Sequence, residues 1–408
     1  MANKFFSLFE GWFSNSKNAE QHFFRNRNEF FGRKGAAYLD VDVPYRLYNE
    51  IPELNQVINK KADMFSNGEF KVYNSAGKEV DHPMLKLLNE PNAFQSQNEW
   101  MRNYAIQLMV YGNQMMYKNK VSVLEKLPKS LINISPRYVI INLTGKMFDQ
   151  TDLKGMIKDF EYRAGNVLRI FTYDDIIWTR NSDLDDPLVG TSPLKSLRFP
   201  LTNTKLAYDY LNIISGEKGA VGLLSNTSKD GFGALPMTPE QKIEIANEFT
   251  GTYGVGDDKK SRIAIVSGNT TWTPMSYPTK ELLLLEQIDA NKLTICDHFG
   301  LNINIFSSKT ATFENVKNGI IQSYNDAVFP FADQFTQKIQ KELGVDEKQY
   351  KLTLDYSHIS VLQADKEKEA KTLQMQLDSV ANAVQNQILT PQQATNIYRN
   401  TFSIELDK

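Results

Sequence analysis

The chain has 408 residues, and 46 Lys and Arg stand against 48 Asp and Glu for a formal charge of −2. With 41% hydrophobic and 23% charged residues, the composition is that of a chain with a buried core, which excludes disorder as its main state. The charge balance excludes a broad basic face that grips nucleic acid by neutralising many phosphates. The length predicts two or three structural units. A single cysteine, Cys296, rules out an intramolecular disulfide framework and fits a reducing compartment.

The N-terminal segment MANKFFSLFEGWF places Phe5, Phe6, Phe9, Trp12 and Phe13 at helical spacing, one aromatic stripe. Two readings stand: a short helix packed on its own domain, or an arm docked on a neighbouring chain. Glu10 interrupts the run and no small-residue cleavage site follows, so it is a poor secretory signal. A helix follows Pro52, with Leu54, Val57, Ile58 and Phe65 near one face, then a hairpin-like FKVYN with a turn at Ser75-Ala76-Gly77. Trp100, Tyr104, Leu108 and Met109 predict a helix over Gln97–Tyr117. From Val139 to Arg180 the pattern is β, through VIINL and VLRIFTYDDIIWTR. Gly190 and Pro193 punctuate the chain before a helix from about Leu194 to Ile214.

Thr238-Pro239-Glu240-Gln241 and Thr390-Pro391-Gln392-Gln393 are capping boxes with proline at the first helical position. Between them lie the strands SRIAIVSG and TWTPMSY, a helix from about Glu281 to His298, and the polar loop NINIFSSKTATFEN. The run Leu282–Leu285, bracketed by Glu281 and Glu286, is the most apolar stretch and far short of the ~20 residues a spanning helix needs. The longest helix is expected over Phe313–Leu343, where Val316, Ile320, Tyr324, Val328, Phe331, Phe335, Ile339 and Leu343 step by three or four. It would be about 45 Å long. Pro330, lacking an N–H for the fourth residue back, should kink it. A strand, YKLTLDY, and a charged helix from Ala364 with Leu373, Leu377, Val380 and Val384 on one face complete the pattern.

Catalytic and cofactor motifs are mostly absent. His22, His82, His298 and His358 are isolated, so no local zinc motif exists. His298 stands at a helix end, where a cation would favour the dipole. The cluster Gly251 to Gly254 lacks the lysine and hydroxyl of a phosphate loop. No metal or cofactor is expected. Ser192-Pro193-Leu194-Lys195 fits the S-x-x-K pattern of penicillin-recognising hydrolases, but the companion K-T-G is missing. Ser192 reads better as an N-cap. Asp185-Asp186 and Asp257-Asp258 read as solvated turns. The chain is expected not to be an enzyme.

Several landmarks resemble the HK97-type portal proteins of tailed bacteriophages. They are His82-Pro83-Met84-Leu85-Lys86-Leu87-Leu88-Asn89-Glu90-Pro91-Asn92, then Tyr111-Gly112-Asn113, and Gly190-Thr191-Ser192-Pro193-Leu194 opening a helix. The Thr238 capping box leading to Ile263-Ala264-Ile265-Val266-Ser267-Gly268, Phe299-Gly300-Leu301 before the polar loop, and Thr390-Pro391-Gln392-Gln393-Ala394 follow in order. Together they run from about residue 45 to residue 400. Leu301-Asn302-Ile303-Asn304 replaces the family's Val-Pro-Pro-like run, and Trp178 stands where many relatives place a histidine.

The resemblance implies an elongated α+β fold of wing, helical stem, α/β clip and helical crown, assembling into a ring of usually twelve copies. Residues 1–204 would form the N-terminal arm and wing, 205–233 the first stem segment, 234–284 the clip and 285–299 the second stem helix. Residues 300–357 would hold the tunnel loop and the long kinked wing helix, and 358–408 the crown. Within the tunnel loop, Ser307, Ser308, Lys309 and Thr310 would line a DNA channel, with Lys309 making transient phosphate contact. Implied partners are further copies of the chain, double-stranded DNA, the major capsid protein or scaffold, the terminase large subunit and a head–tail adaptor, with no membrane. The implied place is a virion vertex, after assembly in the host cytoplasm. Two alternatives stand beside this reading: another structural head or neck protein without a DNA channel, and a serine hydrolase using Ser192 and Lys195.

Overall fold

The computed structural model describes residues 35–37, 41–120, 127–145, 153–183, 189–216, 222–226, 229–230, 233–234, 238–240, 243, 270–274, 283–306, 312–386, 389–390 and 392–393. In chain order, strand β1 (Gly35–Ala37) precedes helices α1 (Asp42–Glu50) and α2 (Pro52–Ser66), strand β2 (Glu69–Asn74), and helices α3 (Pro83–Asn89) and α4 (Gln97–Tyr111). Strands β3 (Asn113–Asn119), β4 (Ser130–Ile134) and β5 (Val139–Leu143) follow, then the single turn α5 (Leu153–Met156). Strands β6 (Ile157–Ala164), β7 (Val167–Phe171) and β8 (Ile176–Arg180) lead to α6 (Arg198–Gly216). Strands β9 (Gly222–Asn226), β10 (Lys229–Asp230), β11 (Gly233–Ala234) and β12 (Thr270–Pro274) precede α7 (Leu284–His298). Helices α8 (Phe313–Ser323) and α9 (Phe329–Glu342), strand β13 (Tyr350–Asp355) and α10 (Ser360–Gln385) complete the order.

The chain divides into two compact units. The first takes residues 1–66 and 89–301, the second residues 67–88 and 302–408, so the chain leaves the first unit after α2 and returns to it after α3.

In the first unit, two antiparallel sheets, β4-β3-β8 and β1-β5-β6-β7, close on one core. Met115, Ile141, Phe160, Phe171, Ile176 and Trp178 are buried there, and Phe160 meets Trp178 edge to face at 5.8 Å. Helix α4 packs beside α2 through the fully buried Trp100 and Tyr104 and the contact of Tyr104 with Phe65. It begins at Ser96, whose hydroxyl accepts from the Glu99 amide while Glu99 accepts from the Ser96 amide.

The sequence pattern carries α4 to Tyr117, but the helix stops at Tyr111 and Asn113–Asn119 is a central strand. The reason is Gly112, which takes the left-handed conformation (φ 65°) and returns its N–H to the Leu108 carbonyl. The helix expected from Leu194 likewise starts later, at Arg198, after a 3₁₀ turn over Pro193–Lys195.

Polar contacts tie helices α6 and α7 to α1, to α2 and to each other: Lys205 to Glu50 of α1, the Tyr208 hydroxyl to Glu53 and Lys292 Nζ to Gln56 Oε1 at 2.8 Å on α2, and Asn291 Nδ2 of α7 to Thr204 Oγ1 of α6 at 3.0 Å. His298 is not the cation at the end of α7. Burial and the Lys61 charge hold its pKa below the usual value, and the cap is Lys61 itself, donating to the Phe299 carbonyl at 2.8 Å. Burial pushes the Lys61 ammonium down to about 8.

In the second unit, β2 pairs antiparallel with β13 across nearly 280 positions of sequence, and α9 covers the pair. Phe335 meets Phe70 at 6.2 Å. Gln340, 4% exposed, donates to the Tyr350 carbonyl at 2.6 Å and accepts from the Leu352 amide at 2.9 Å. The helix expected over Phe313–Leu343 is present as α8 and α9 joined by a π-helical turn, Tyr324–Val328, directly before Pro330. There the Phe329 amide reaches five residues back, to Tyr324, so the missing Pro330 N–H is accommodated by widening the turn. Among the helices described as single elements α10, with 26 residues, is the longest.

Asp355 accepts from Lys71 Nζ at 2.6 Å and from Ser357. Burial would raise its pKa, but those hydrogen bonds and the Lys71 charge hold it at about 2. Stability from Asp355 is therefore present above the ordinary carboxylate range and lost as pH falls through about 2. Urea-unfolding midpoints should fall between pH 4 and pH 2, and that loss should be reduced in Asp355→Asn; an identical acid profile in the variant would contradict it.

Candidate functional site

Ser307, Ser308, Lys309 and Thr310 lie outside the described residues, but both roots of their loop are defined. On the incoming side, a 3₁₀ turn over Ile303–Ile305 is capped by Asn302, whose Oδ1 accepts from the Asn304 amide at 2.9 Å. Asn302 is fastened to α8 twice: its backbone N–H donates to Ser323 Oγ at 3.0 Å, and its Nδ2 donates to Gln322 Oε1 at 2.7 Å. The buried Ser323 hydroxyl passes its own proton to the Gly319 carbonyl at 2.7 Å.

Gly319 allows the close approach. A Cβ there would lie 3.2 Å from Asn302 Oδ1 and 3.4 Å from Ile305 Cγ2. On the outgoing side, Thr312 caps α8, accepting from the Asn315 amide at 3.3 Å. Both roots thus rest on one helix, which fixes where the lysine-bearing loop starts and ends. Phe313, 86% exposed, stands at the outgoing root.

The sequence pattern did not single out Asn302, Gly319 or Ser323 as a group. The available signal was Gly319 itself, since a glycine inside a helix costs about 1 kcal/mol relative to alanine and marks a close approach.

In the first unit the structure brings two sequence landmarks together. Asn113, 1% exposed, donates through Nδ2 to the Gly190 carbonyl at 2.6 Å and the Tyr111 carbonyl at 3.2 Å. Its Oδ1 accepts from the Gly190 amide at 3.1 Å and from Trp178 Nε1 at 3.3 Å. The Gly112 carbonyl accepts from the Asn181 amide at 2.8 Å.

The backbones are so close that a Cβ on Gly112 would lie 1.9 Å from the Thr191 carbonyl oxygen, and one on Gly190 2.3 Å from the Gly112 oxygen. Tyr111-Gly112-Asn113 and Gly190-Thr191-Ser192 are therefore one lock, which sets the departure of the chain toward α6.

The lock also explains Ser192. Its hydroxyl donates to the Val110 carbonyl at 2.5 Å and accepts from the Leu194 amide at 3.2 Å, as the N-cap of the 3₁₀ turn. A hydroxyl has one proton to give, and it goes to a carbonyl and not to Lys195. Among the described residues no group of three or more His, Cys, Asp or Glu is placed to hold a metal ion, and no helix is long and apolar enough to cross a membrane.

No curated protein matches the chain in sequence. Solved structures do. A chain from the neck of an empty gene transfer agent particle, computed with C6 symmetry, has a TM-score of 0.58 at 19% identity, covering 80% of this chain and 87% of that one. A chain from the neck of the native particle, computed with C12 symmetry, has a TM-score of 0.57 at 17% identity, covering 85% and 91%. An HK97 family phage portal protein from Corynebacterium diphtheriae has a TM-score of 0.51 at 12% identity, covering 78% and 96%. At these identities the likeness is one of fold. The family model described as phage portal protein matches residues 52–396, a span that holds both the lock and the framed loop, and the chain belongs to that family.

Proposed function

We propose that the chain is the subunit of a ring at one vertex of a virion, the conduit through which double-stranded DNA enters and leaves. The observation that carries this is the family match over residues 52–396; the twelvefold neck from which a structural relative comes supports a ring of twelve copies. The terminase large subunit, a head–tail adaptor, and the major capsid protein or scaffold are its proposed partners, with assembly in the host cytoplasm. The role requires no catalytic centre.

In this reading residues 1–204 form arm and wing, 205–233 and 285–299 the stem, 234–284 the clip, 300–357 the tunnel loop and wing helix, and 358–408 the crown. Loop residues Ser307, Ser308, Lys309 and Thr310 face the channel. Ring symmetry repeats the Lys309 charge at one level, suited to brief phosphate contact. A chain with net charge −2 suits a duplex that must move, because each neutralised phosphate adds affinity and slows release.

Electron microscopy of the purified protein tests the ring: a central lumen wide enough for duplex DNA is expected, and a monodisperse monomer or a closed assembly would overturn the proposal. Lys309→Ala should leave rings intact and change packaging or retention of DNA severalfold. Unchanged packaging and retention would remove Lys309 from the channel.

A further inference from the structure

Helices α6 and α7 lie side by side, joined through Thr204 of the first and Asn291 of the second, and a groove of about 480 Å³ opens between them. Leu206, Ala207 and Tyr210 of α6 and Leu284 of α7 form its apolar part, and Asn203 and Gln287 contribute amides. None of its eight lining residues is charged, in a chain where 23% of residues are. Depletion of charge beside apolar and aromatic side chains marks the centre of a protein–protein interface.

Helix α7 also carries two large apolar side chains, Leu285 and Leu293, which are 64% and 43% exposed among the described residues. Successive helix residues turn by about 100°. Counted from the buried Ile288, Leu285 and Leu293 stand at about +60° and +140°, whereas Gln287 and Ala290 of the groove stand at about −100° and −160°. The two leucines and the groove therefore occupy opposite flanks of one helix. Their lengths agree as well: the leucines are about 12 Å apart along the axis, and the groove follows α7 from Leu284 to Asn291, about 10 Å. Neighbours in a cyclic ring meet head to tail, through two different surfaces that fit each other. Each copy must then present a projection on one flank and its recess on the other, as α7 does.

We propose that Leu285 and Leu293 of one copy seat in the α6–α7 groove of the next copy around the ring. The contact rests on the ring proposed above and supplies one surface by which it closes. Asp289 lies between the leucines, at about +100°. The groove meets it with the amides of Asn203 and Gln287 and with no carboxylate.

Covalent trapping in the full-length protein tests the seating. In a Cys296→Ala background, Leu285→Cys or Leu293→Cys is combined with Leu206→Cys or Gln287→Cys, and the four double variants are treated with a short bis-maleimide. At least one should give a ladder of covalent multimers on a denaturing gel. The single-cysteine variants should stay monomeric there, because a head-to-tail contact brings only unlike positions together. Rings in the electron microscope with no ladder from any double variant overturn the seating and leave the ring standing; monomers of the unaltered protein overturn both. Independently, Leu285→Asp with Leu293→Asp, both at exposed positions, should raise the concentration for half-assembly at least about tenfold, at unchanged helix content by circular dichroism. Assembly at the unaltered concentration overturns the seating as well.

Discussion

Gly112→Ala is expected to leave little folded protein, the largest loss of any single methyl addition among the glycines described above. Two penalties combine. An L-residue in the left-handed conformation costs about 1–2 kcal/mol, and Gly112 has φ 65°. The added Cβ would also lie 1.9 Å from the Thr191 carbonyl oxygen and 2.7 Å from the Ser192 amide, neither of which is the flexible end of a side chain. Making room would pull Gly190 away from Asn113, leaving buried donors and acceptors unpaired at about 1–3 kcal/mol each. The sum is at least ~4 kcal/mol, against a total stability of about 5–15 kcal/mol for a folded domain.

Gly165→Ala is the control. Gly165 also has a positive φ, 56°, but nothing lies within 4 Å of its added Cβ. Urea unfolding should show a loss of about 1–2 kcal/mol there and a collapse at Gly112. Equal losses at both positions would mean that backbone conformation, and not the lock, accounts for Gly112.

At the loop root, Gly319→Val is expected to destabilise the protein by about 2 kcal/mol, in the range for forcing atoms into a packed site, and to free the incoming end of the loop. Gly319→Ala should be close to neutral. Its gain in helix propensity, about 1 kcal/mol, offsets a contact with Asn302 at 3.2 Å that a shift of a few tenths of an ångström relieves. Valine adds two further carbons toward Asn302 and Ile305 that no such shift accommodates. Tryptic cleavage after Lys309 reads the loop directly and should be several times faster in Gly319→Val than in the natural protein, with Gly319→Ala unchanged. Cleavage insensitive to valine would show that the Asn302–Gly319 approach does not hold the loop.

The elements that sequence periodicity exposed were those with one buried face and a written start or stop. Helix α2, the hydrophobic stepping through α8 and α9, and strand β5, buried at alternate positions, are of that kind. The Thr390 box is present as read, with reciprocal bonds to Gln393. The continuation of α4 from Tyr111 to Tyr117 was misread because Gln114, Met115, Met116 and Tyr117 continue a helix-compatible pattern, while the stop depends on the φ of one glycine.

Pairing across sequence was illegible for a different reason. Nothing local to Asn113 shows that its amide fits the Gly190 peptide 77 positions later, although both segments were recognisable as landmarks. The loop itself was named from resemblance, and its framing by Asn302, Gly319 and Ser323 needed coordinates. The segment SRIAIVSG, expected as a strand, the N-terminal stripe and the residues of the loop lie outside the described residues.

The widened turn before Pro330 sets the azimuth of one half of a rod against the other. Successive residues of an α-helix are turned by about 100°, so one residue taken out of Tyr324–Val328 would turn the face of α8 that holds Asn302 by that angle relative to the face of α9 that Phe335 and Gln340 press onto β2 and β13. The loop-bearing end and the sheet-bearing end of this helix are consequently held in phase by the length of five residues, none of which needs to touch the loop.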